Sequence, residues 1–309
     1  MAAGSGPSRP EKPAGSPSCR TKQVNWREVT KLEGPLRGKV AIVTGAGSPI
    51  GIGRAMTLAL VRAGARVAMV DVNEAWLEQT ANDVRETGGD DCVLPLVGDV
   101  SSPSDAGSAV RRTVAELGGL HILINNAGIS AGNFGRGRTN FWEIAPESWS
   151  RVVAVNLSGA FFMARAAVGH MLGQRWGRII GVTTSLDTMY REGGSPYGPS
   201  KAGHEALIAT MARELEGTGV TANVLVPGGA TNTNILPPDA WNDRAALIQP
   251  EVMQAPVVWL ASEASDQVNG RRFIAYHWDM SLPLEERLKK ATAPAAWPQL
   301  GKQSISPTR

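Results

Sequence analysis

The sequence predicts an α/β fold: one doubly wound domain with a mostly parallel, seven-stranded sheet and helices on both faces. Three observations predict it. Short apolar runs alternate with longer segments of helical periodicity. Several runs are apolar throughout rather than alternating, as strands covered on both faces are. The chain has 309 residues, enough for one large core without covalent staples.

The elements follow in order. Residues 1–35 are rich in Gly, Pro, Ser and charge, and read as a disordered N-terminal extension, with Trp26 and Leu32 docking late in it. Val40–Thr44 is a first strand, followed by a glycine-rich turn and a helix carrying Ala55, Leu58, Ala59 and Val61 on one face. Further strands are expected at Arg66–Val70, Cys92–Val97, Ile122–Asn125, Arg178–Thr183 and Ala222–Val226. A long helix over Glu147–Leu172 takes its period from Val152, Val153, Leu157, Phe161 and Ala164. Tyr197–Gly217 reads as another long helix. In Glu251–Ser262, Pro256 predicts a kink, or a helix start near Ala255. Phe273–Trp278 is the last expected strand, which closes the domain over residues 36–278. The C-terminal arm, 279–309, holds a short charged helix at Ser281–Lys290 and is otherwise made irregular by Pro294, Pro298 and Pro307.

Composition excludes several function classes. The net charge of +3 comes from interspersed groups, 31 basic and 28 acidic. No basic stripe interleaved with aromatics points to nucleic acid. The longest apolar runs are strand-length, so no membrane span is expected. The N-terminus has no apolar signal core. Its Arg9, Lys12, Arg20 and Lys22 leave a transit peptide as an alternative, opposed by Pro and Gly density. Cys19 and Cys92 are the only cysteines, which excludes a disulfide framework or a zinc site and points to a reducing, cytoplasmic compartment. The 35 glycines form no repeat, so they are expected in turns and close backbone approaches.

The turn after the first strand carries chemistry. Gly45, Gly47, Gly51 and Gly53 surround Ser48, Pro49, Ile50 and Ile52 and open a helix. Glycines there let backbone N–H groups approach a pyrophosphate at a helix N-terminus. Glycine also simply makes tight turns, so the context decides. The next strand ends in Asp71, twenty residues after Gly51. A carboxylate at that place accepts from a ribose 2′-hydroxyl and repels a 2′-phosphate, favouring NAD over NADP. This is a Rossmann-type cofactor site.

With these residues in hand, the chain resembles the short-chain dehydrogenase/reductase family from about Leu36 to Ala275. Thr44-Gly45 with Gly51-Ile52-Gly53 is similar to the family's TGxxxGIG loop. Gly98-Asp99-Val100 resembles the turn whose acid contacts the adenine, and Asn125-Asn126-Ala127-Gly128 the NNAG motif. Val155-Asn156-Leu157 matches the helix Asn of the catalytic tetrad, Tyr197 to Lys201 matches YxxxK, and Val226-Pro227-Gly228 the PG turn. Two features depart. The loop carries two additional residues, best placed as Pro49-Ile50, with Gly45-x-Gly47-x-x-x-Gly51 as another frame. The family's serine position, thirteen residues before the tyrosine, is Thr184, with Ser185 beside it.

The resemblance implies a site. Tyr197 is the acid–base, and Lys201, one helical turn on, biases its phenol and reaches the nicotinamide ribose. Thr184 or Ser185 hydrogen-bonds the substrate oxygen. Asn156 holds a water that links Lys201 to solvent. Thr233, in the segment that forms the family's lid, touches the cofactor. Trp241 lies in the same segment. The expected partners are a small-molecule alcohol or ketone, with no nucleic acid, membrane or metal. The two long helices resemble the family's four-helix contact and imply a homodimer or homotetramer. Rival readings are a non-catalytic dinucleotide-binding regulator, kept open by the altered loop and Thr184, and a scaffold acting through its tails.

Overall fold

Val40–Thr44 (β1) is a run of apolar and β-branched side chains, and every one of its five residues is buried. Ala41 and Val43 join the core on one face of the sheet, while Val40 and Ile42 join the core on the other. That two-sided burial is why the strand reads as a continuous apolar run. The structure, a computed structural model, describes residues 34–131, 139–238 and 241–298.

From β1 the chain alternates strand and helix: α1 (Ile52–Arg62), β2 (Arg66–Asp71), α2 (Glu74–Gly88), β3 (Val93–Val97), α3 (Pro103–Leu117) and β4 (Ile122–Asn125). Then come α4 (Pro146–Val153), a π-helical turn (Ala154–Ser158), α5 (Gly159–Gly173), β5 (Gly177–Val182), α6 (Leu186–Met189), α7 (Tyr197–Glu214) and β6 (Val220–Val226). The chain ends in α8 (Gln254–Ala261), β7 (Arg271–Ile274), α9 (Leu284–Ala291) and β8 (Thr292–Pro294). The strand order is β3-β2-β1-β4-β5-β6-β7-β8. The crossovers from β1 and from β4 therefore leave in opposite directions, which opens a crevice at the strands' carboxyl ends. Val43 sits between Met69 on β2 and Ile124 on β4.

Caps explain several helix starts. Asn73 accepts from the Trp76 N–H at 2.9 Å, and Ser102 accepts from the Asp105 N–H with Pro103 in the first turn. Of the two outcomes expected at Pro256, the helix start near Ala255 is the one observed, with α8 beginning at Gln254. A 3₁₀ turn at Pro250–Met253 leads into α8, so Pro256 lies in the first turn, where its missing N–H is no loss.

The sheet has eight strands rather than seven. After α9 the chain turns back and β8 pairs antiparallel with β7, matching Arg272 to Ala293. β7 is also shorter than expected. Residues 275–277 form a 3₁₀ turn, tied by the Tyr276 N–H to the Pro227 carbonyl at 3.0 Å. Trp278 then packs on Trp259 at 5.2 Å between ring centroids and on Phe273 at 5.9 Å. Leu36, at the expected start of the domain, is fully buried and donates its N–H to the Ala63 carbonyl. The proposed docking of Trp26 and Leu32 lies outside the described residues.

Arg178 is a charged residue in a strand expected to be apolar. Its guanidinium pairs with Asp266 and stacks on the Trp176 ring at 4.2 Å, which Lys39 also approaches at 3.8 Å. The helical stretch Pro146–Gly173 is long and apolar enough to cross a membrane by length and composition. In the fold it turns Met163, Ala164, Ala167 and Met171 into the core against the sheet.

His204 on α7 is buried, and neither ring nitrogen has a partner. Burial, with Lys201 nearby, pushes its pKa from 6.5 down to about 3. The unfolded chain therefore binds this proton more readily, and stability falls as pH drops below 6.5. Between pH 7.5 and 5.5, urea unfolding is expected to show the wild type losing about 1.4 kcal/mol more than His204→Leu. Equal losses in the two proteins would remove the penalty assigned to His204.

Candidate active site

The crevice is built where β1 and β4 end. Thr44 is 1% exposed, and its hydroxyl is the hub. It accepts the N–H groups of Asn126 and Ala127, both at 3.0 Å, and donates to the Ile124 carbonyl at 3.3 Å. Asn126 answers by donating its amide to the carbonyls of Thr44 (2.8 Å) and Gly45 (3.1 Å). Gly45 has φ +64°, and a Cβ there would lie 2.8 Å from the Ala127 Cα. Only glycine permits this approach of the two strand ends.

The turn continues outward. The Gly47 N–H donates to Asp71 Oδ2 at 2.9 Å, and the Asn73 N–H to Oδ1 at 3.1 Å, so Asp71 is fixed by backbone donors. A Cβ on Gly47 would lie 3.0 Å from the Asp71 carboxyl carbon. Gly47 thus seats the acid, and it is not among the residues that line the cavity. The additional Pro49-Ile50 pair reaches the segment after β6. The Ile50 carbonyl accepts the Asn234 N–H at 3.2 Å, and Asn234 donates its amide to Ser48 Oγ at 3.1 Å. Gly51 caps α1 without a side chain, leaving first-turn N–H groups at the cavity wall formed by Gly51 and Ile52.

One cavity of about 670 Å³ runs from Asp71 to Tyr197. That volume suits a bound small molecule or cofactor. Ser48, Val100, Ala127, Gly128, Pro227 and Thr233 lie along it. Gly228 does not line it; its φ of +111° and a Cβ distance of 2.7 Å to Tyr276 show that it serves packing beneath β7. Asp99 is at the far end. Burial works to raise its pKa, but two hydrogen bonds from Ser101 and the Arg151 guanidinium at 3.0 Å outweigh this and hold it below the usual range.

Tyr197 opens α7, and Lys201 follows one turn later with Nζ 5.9 Å from the tyrosine ring centre. Lys201 is 2% exposed and donates to the Val182 carbonyl at 2.9 Å. Burial lowers its pKa to about 8. Burial also pushes the Tyr197 phenol up to about 12, against a hydrogen bond from Thr184 that lowers it. The two hydroxyl candidates are thereby separated in space. Thr184 meets Tyr197, whereas the Ser185 hydroxyl is 2.8 Å from Thr188 Oγ1 at the start of α6. Both line the cavity.

Asn156 sits in the π-helical turn between α4 and α5, a distortion common at functional sites. Its amide nitrogen donates to the Ile129 carbonyl (3.0 Å) and Ser200 Oγ (2.9 Å), and its oxygen accepts the Ile129 N–H (2.8 Å). The side chain is therefore spent on clamping Ile129 and α7, so both of its donors are unavailable to the water it was expected to hold.

The residues fit a dinucleotide: a glycine turn too close-packed for any Cβ, free helix-end N–H groups, a seated acid, and a deep tyrosine. Sequence reasoning missed Trp76, Arg151 and Arg191 on the cavity wall. The Arg151–Asp99 pair joins residues 52 apart, and no local pattern marks it. Among the described residues no cluster of His, Cys, Asp or Glu forms a metal site.

The hub is testable. Thr44→Val keeps the shape but strands two buried N–H groups, and is expected to cost roughly 2–4 kcal/mol in urea unfolding. A loss under ~0.5 kcal/mol would mean the strand ends hold without it.

Comparison with known proteins agrees. The family model described as short chain dehydrogenase matches residues 39–241. L-rhamnose-1-dehydrogenase of Scheffersomyces stipitis is 30% identical over 256 residues, 79% of this chain and 96% of that protein. The 3-oxoacyl-[acyl-carrier-protein] reductase FabG of Thermotoga maritima is 31% identical, covering 76% of this chain and 95% of its own. The crystal structure of levodione reductase superposes with a TM-score of 0.68 at 27% identity, over 76% of this chain and 94% of that one.

Proposed function

The chain belongs to the short-chain dehydrogenase family, and from that premise we propose that it is an NAD(H)-dependent oxidoreductase interconverting a secondary alcohol and a ketone. The observation that carries this reading is one cavity holding both the seated Asp71 and the Thr184–Tyr197–Lys201 group. Bound nicotinamide supplies the hydride acceptor or donor.

In this reading Tyr197 takes the alcohol proton during oxidation and returns it during reduction. A phenol raised by burial needs help to ionise, and two groups give it. Thr184 hydrogen-bonds the phenol oxygen, and protonated Lys201 places positive charge one turn away. With substrate bound, the single Thr184 proton turns to the substrate oxygen as charge develops there, and Lys201 alone favours the phenolate. Asn156 acts by position, holding Ile129 and α7 so that Lys201 stays aimed along the cavity floor. Asp71 receives the adenosine ribose hydroxyls, and its charge opposes a 2′-phosphate. Asp99 and Val100 flank the adenine. Residues 36–278 form the catalytic domain, and the chain assembles as a homodimer or homotetramer in the cytoplasm.

The substrate is a small molecule. Relatives named for sugars and for acyl thioesters define the panel: L-rhamnose, a 2-keto-3-deoxy sugar acid and an acetoacetyl thioester, each followed by NADH absorbance. Tyr197→Phe is expected to lower kcat/KM by roughly 100- to 10,000-fold while NADH still binds by fluorescence titration. Thr184→Val should lose roughly 100-fold in kcat, and Ser185→Ala far less. Unchanged turnover in Tyr197→Phe would sink the mechanism.

Cofactor choice gives a second check. NADH is expected to bind more tightly than NADPH, and Asp71→Asn should narrow that gap by about 10-fold or more while keeping an acceptor for Gly47. Tighter binding of NADPH by the wild type would reverse the role of Asp71.

A further inference from the structure

We infer that Glu205 and Arg272 are a positioning pair for the reaction: together they fix the Thr184 turn against Tyr197, and the C-terminal arm completes their seat. The inference rests on the assignment of Thr184 and Tyr197 made above.

The pair is buried on both sides. Glu205, on α7 one turn after Lys201, is fully buried, and Arg272, in the middle of β7, is 5% exposed. Their side chains form an ion pair through Arg272 Nη1 and Glu205 Oε2. Two charges are expensive to hold out of water, and removing either one leaves the other stranded. Such a pair is weak evidence for stability. What marks it as more than ballast is where its remaining hydrogen bonds go.

All of them reach the end of β5 or the arm. Glu205 Oε2 accepts the Thr183 hydroxyl at 3.0 Å, and Arg272 Nη1 lies 3.5 Å from the Thr183 hydroxyl oxygen. Arg272 Nη2 donates to the backbone carbonyl of Thr184. The planar guanidinium thus spans the acid and the carbonyl in one rigid fork, a geometry lysine cannot copy. Thr184 is fixed through its own backbone and through the side chain before it, while its hydroxyl is left to Tyr197. Lys201 and Glu205, one turn apart on α7, therefore serve opposite ends of one task. Lys201 faces the cavity, and Glu205 holds the wall opposite the tyrosine.

The arm enters through β8. Arg272 pairs with Ala293 across the β7–β8 ladder, and three residues on, the Ala296 N–H donates to Glu205 Oε1 at 3.4 Å. The turn that follows the unexpected eighth strand supplies the second oxygen of Glu205 with a donor. Thr184, which stands at the family's serine position, is thus supported by elements far apart in sequence.

The test reads Tyr197 directly and needs no substrate. The full chain has three tyrosines, so protein labelled with ¹³C at the tyrosine Cζ gives three resonances, and Tyr197→Phe assigns the one of interest. Thr184→Val should move the Tyr197 resonance. The double variant Arg272→Met/Glu205→Leu removes both charges, so it folds where a single substitution would strand a partner. It is expected to move the Tyr197 resonance in the same direction as Thr184→Val, with Tyr190 and Tyr276 unmoved. Its kcat on the acetoacetyl thioester should fall about 10-fold with KM nearly unchanged. Glu205→Gln, which keeps an acceptor for Arg272 and Thr183 but not the charge, is the second variant and should give a smaller shift of the same sign. A folded double variant with Tyr197 in its wild-type place overturns the proposal. So does a joint shift of all three tyrosines, which would make the pair a scaffold element only. If Thr184→Val itself leaves Tyr197 unmoved, the Thr184 assignment fails, and this inference with it.

Discussion

The architecture hangs on the way β1 and β4 are tied at their ends while their chains depart in opposite directions. A parallel sheet exposes unpaired backbone groups at its carboxyl edge, and at a switch point no helix covers them. Here the Thr44 hydroxyl absorbs two N–H groups and Asn126 absorbs two carbonyls. The crevice is therefore satisfied internally without being filled. Everything that follows uses this solved gap: Gly45 turns the chain within it, Asp71 is seated beside it, and Gly128 brings its floor under Lys201. A Cβ at Gly128 would lie 3.1 Å from the Lys201 ammonium, so the glycine leaves that nitrogen its place.

Polar residues inside the protein divide by function. At the amino end of the sheet, Arg178 is stacked on Trp176 and paired with Asp266, and it touches nothing in the cavity. At the carboxyl end, Asn156, Lys201, Glu205 and Arg272 are buried yet all lead back to the same few atoms. The first group tolerates desolvation by stacking and pairing, as a stabilising cluster does. The second accepts desolvation, which disfavours its charged forms, and is held in fixed geometry by its hydrogen bonds. The π-helical turn at Asn156 belongs to the second group, since a regular helix would place that side chain elsewhere around the axis.

Much of this was legible in the sequence, for identifiable reasons. Strand positions followed from two-sided burial, which writes itself as uninterrupted apolar runs. Asp71 followed from its spacing after the glycine turn, and Tyr197, Lys201 and the Asn126 turn from the family resemblance that their motifs carry. The choice between Thr184 and Ser185 did not, since neighbours on a turn differ only in direction. What each glycine makes room for was not legible: Gly47 packs against Asp71 and Gly228 against Tyr276, and a missing Cβ looks the same in sequence whatever it meets. β8, Arg151 and the Glu205–Arg272 pair were invisible because each depends on contacts across long stretches of chain. An arginine in a strand carries no sign of the glutamate 67 residues before it.

The eighth strand has a consequence for how copies of this protein meet. An uncovered strand invites another chain to add to the sheet, which is the start of uncontrolled polymerisation. On one flank β8 occupies that place, is only three residues long, and ends in Pro294. On the other flank the outermost strand is β3, and Pro95 sits at its centre without an N–H to offer. Both flanks are blunted by proline, so the sheet is finite by construction. Any assembly of subunits must then join through helices and side chains, where shape complementarity limits the partners, and not through the backbone, which would accept any strand.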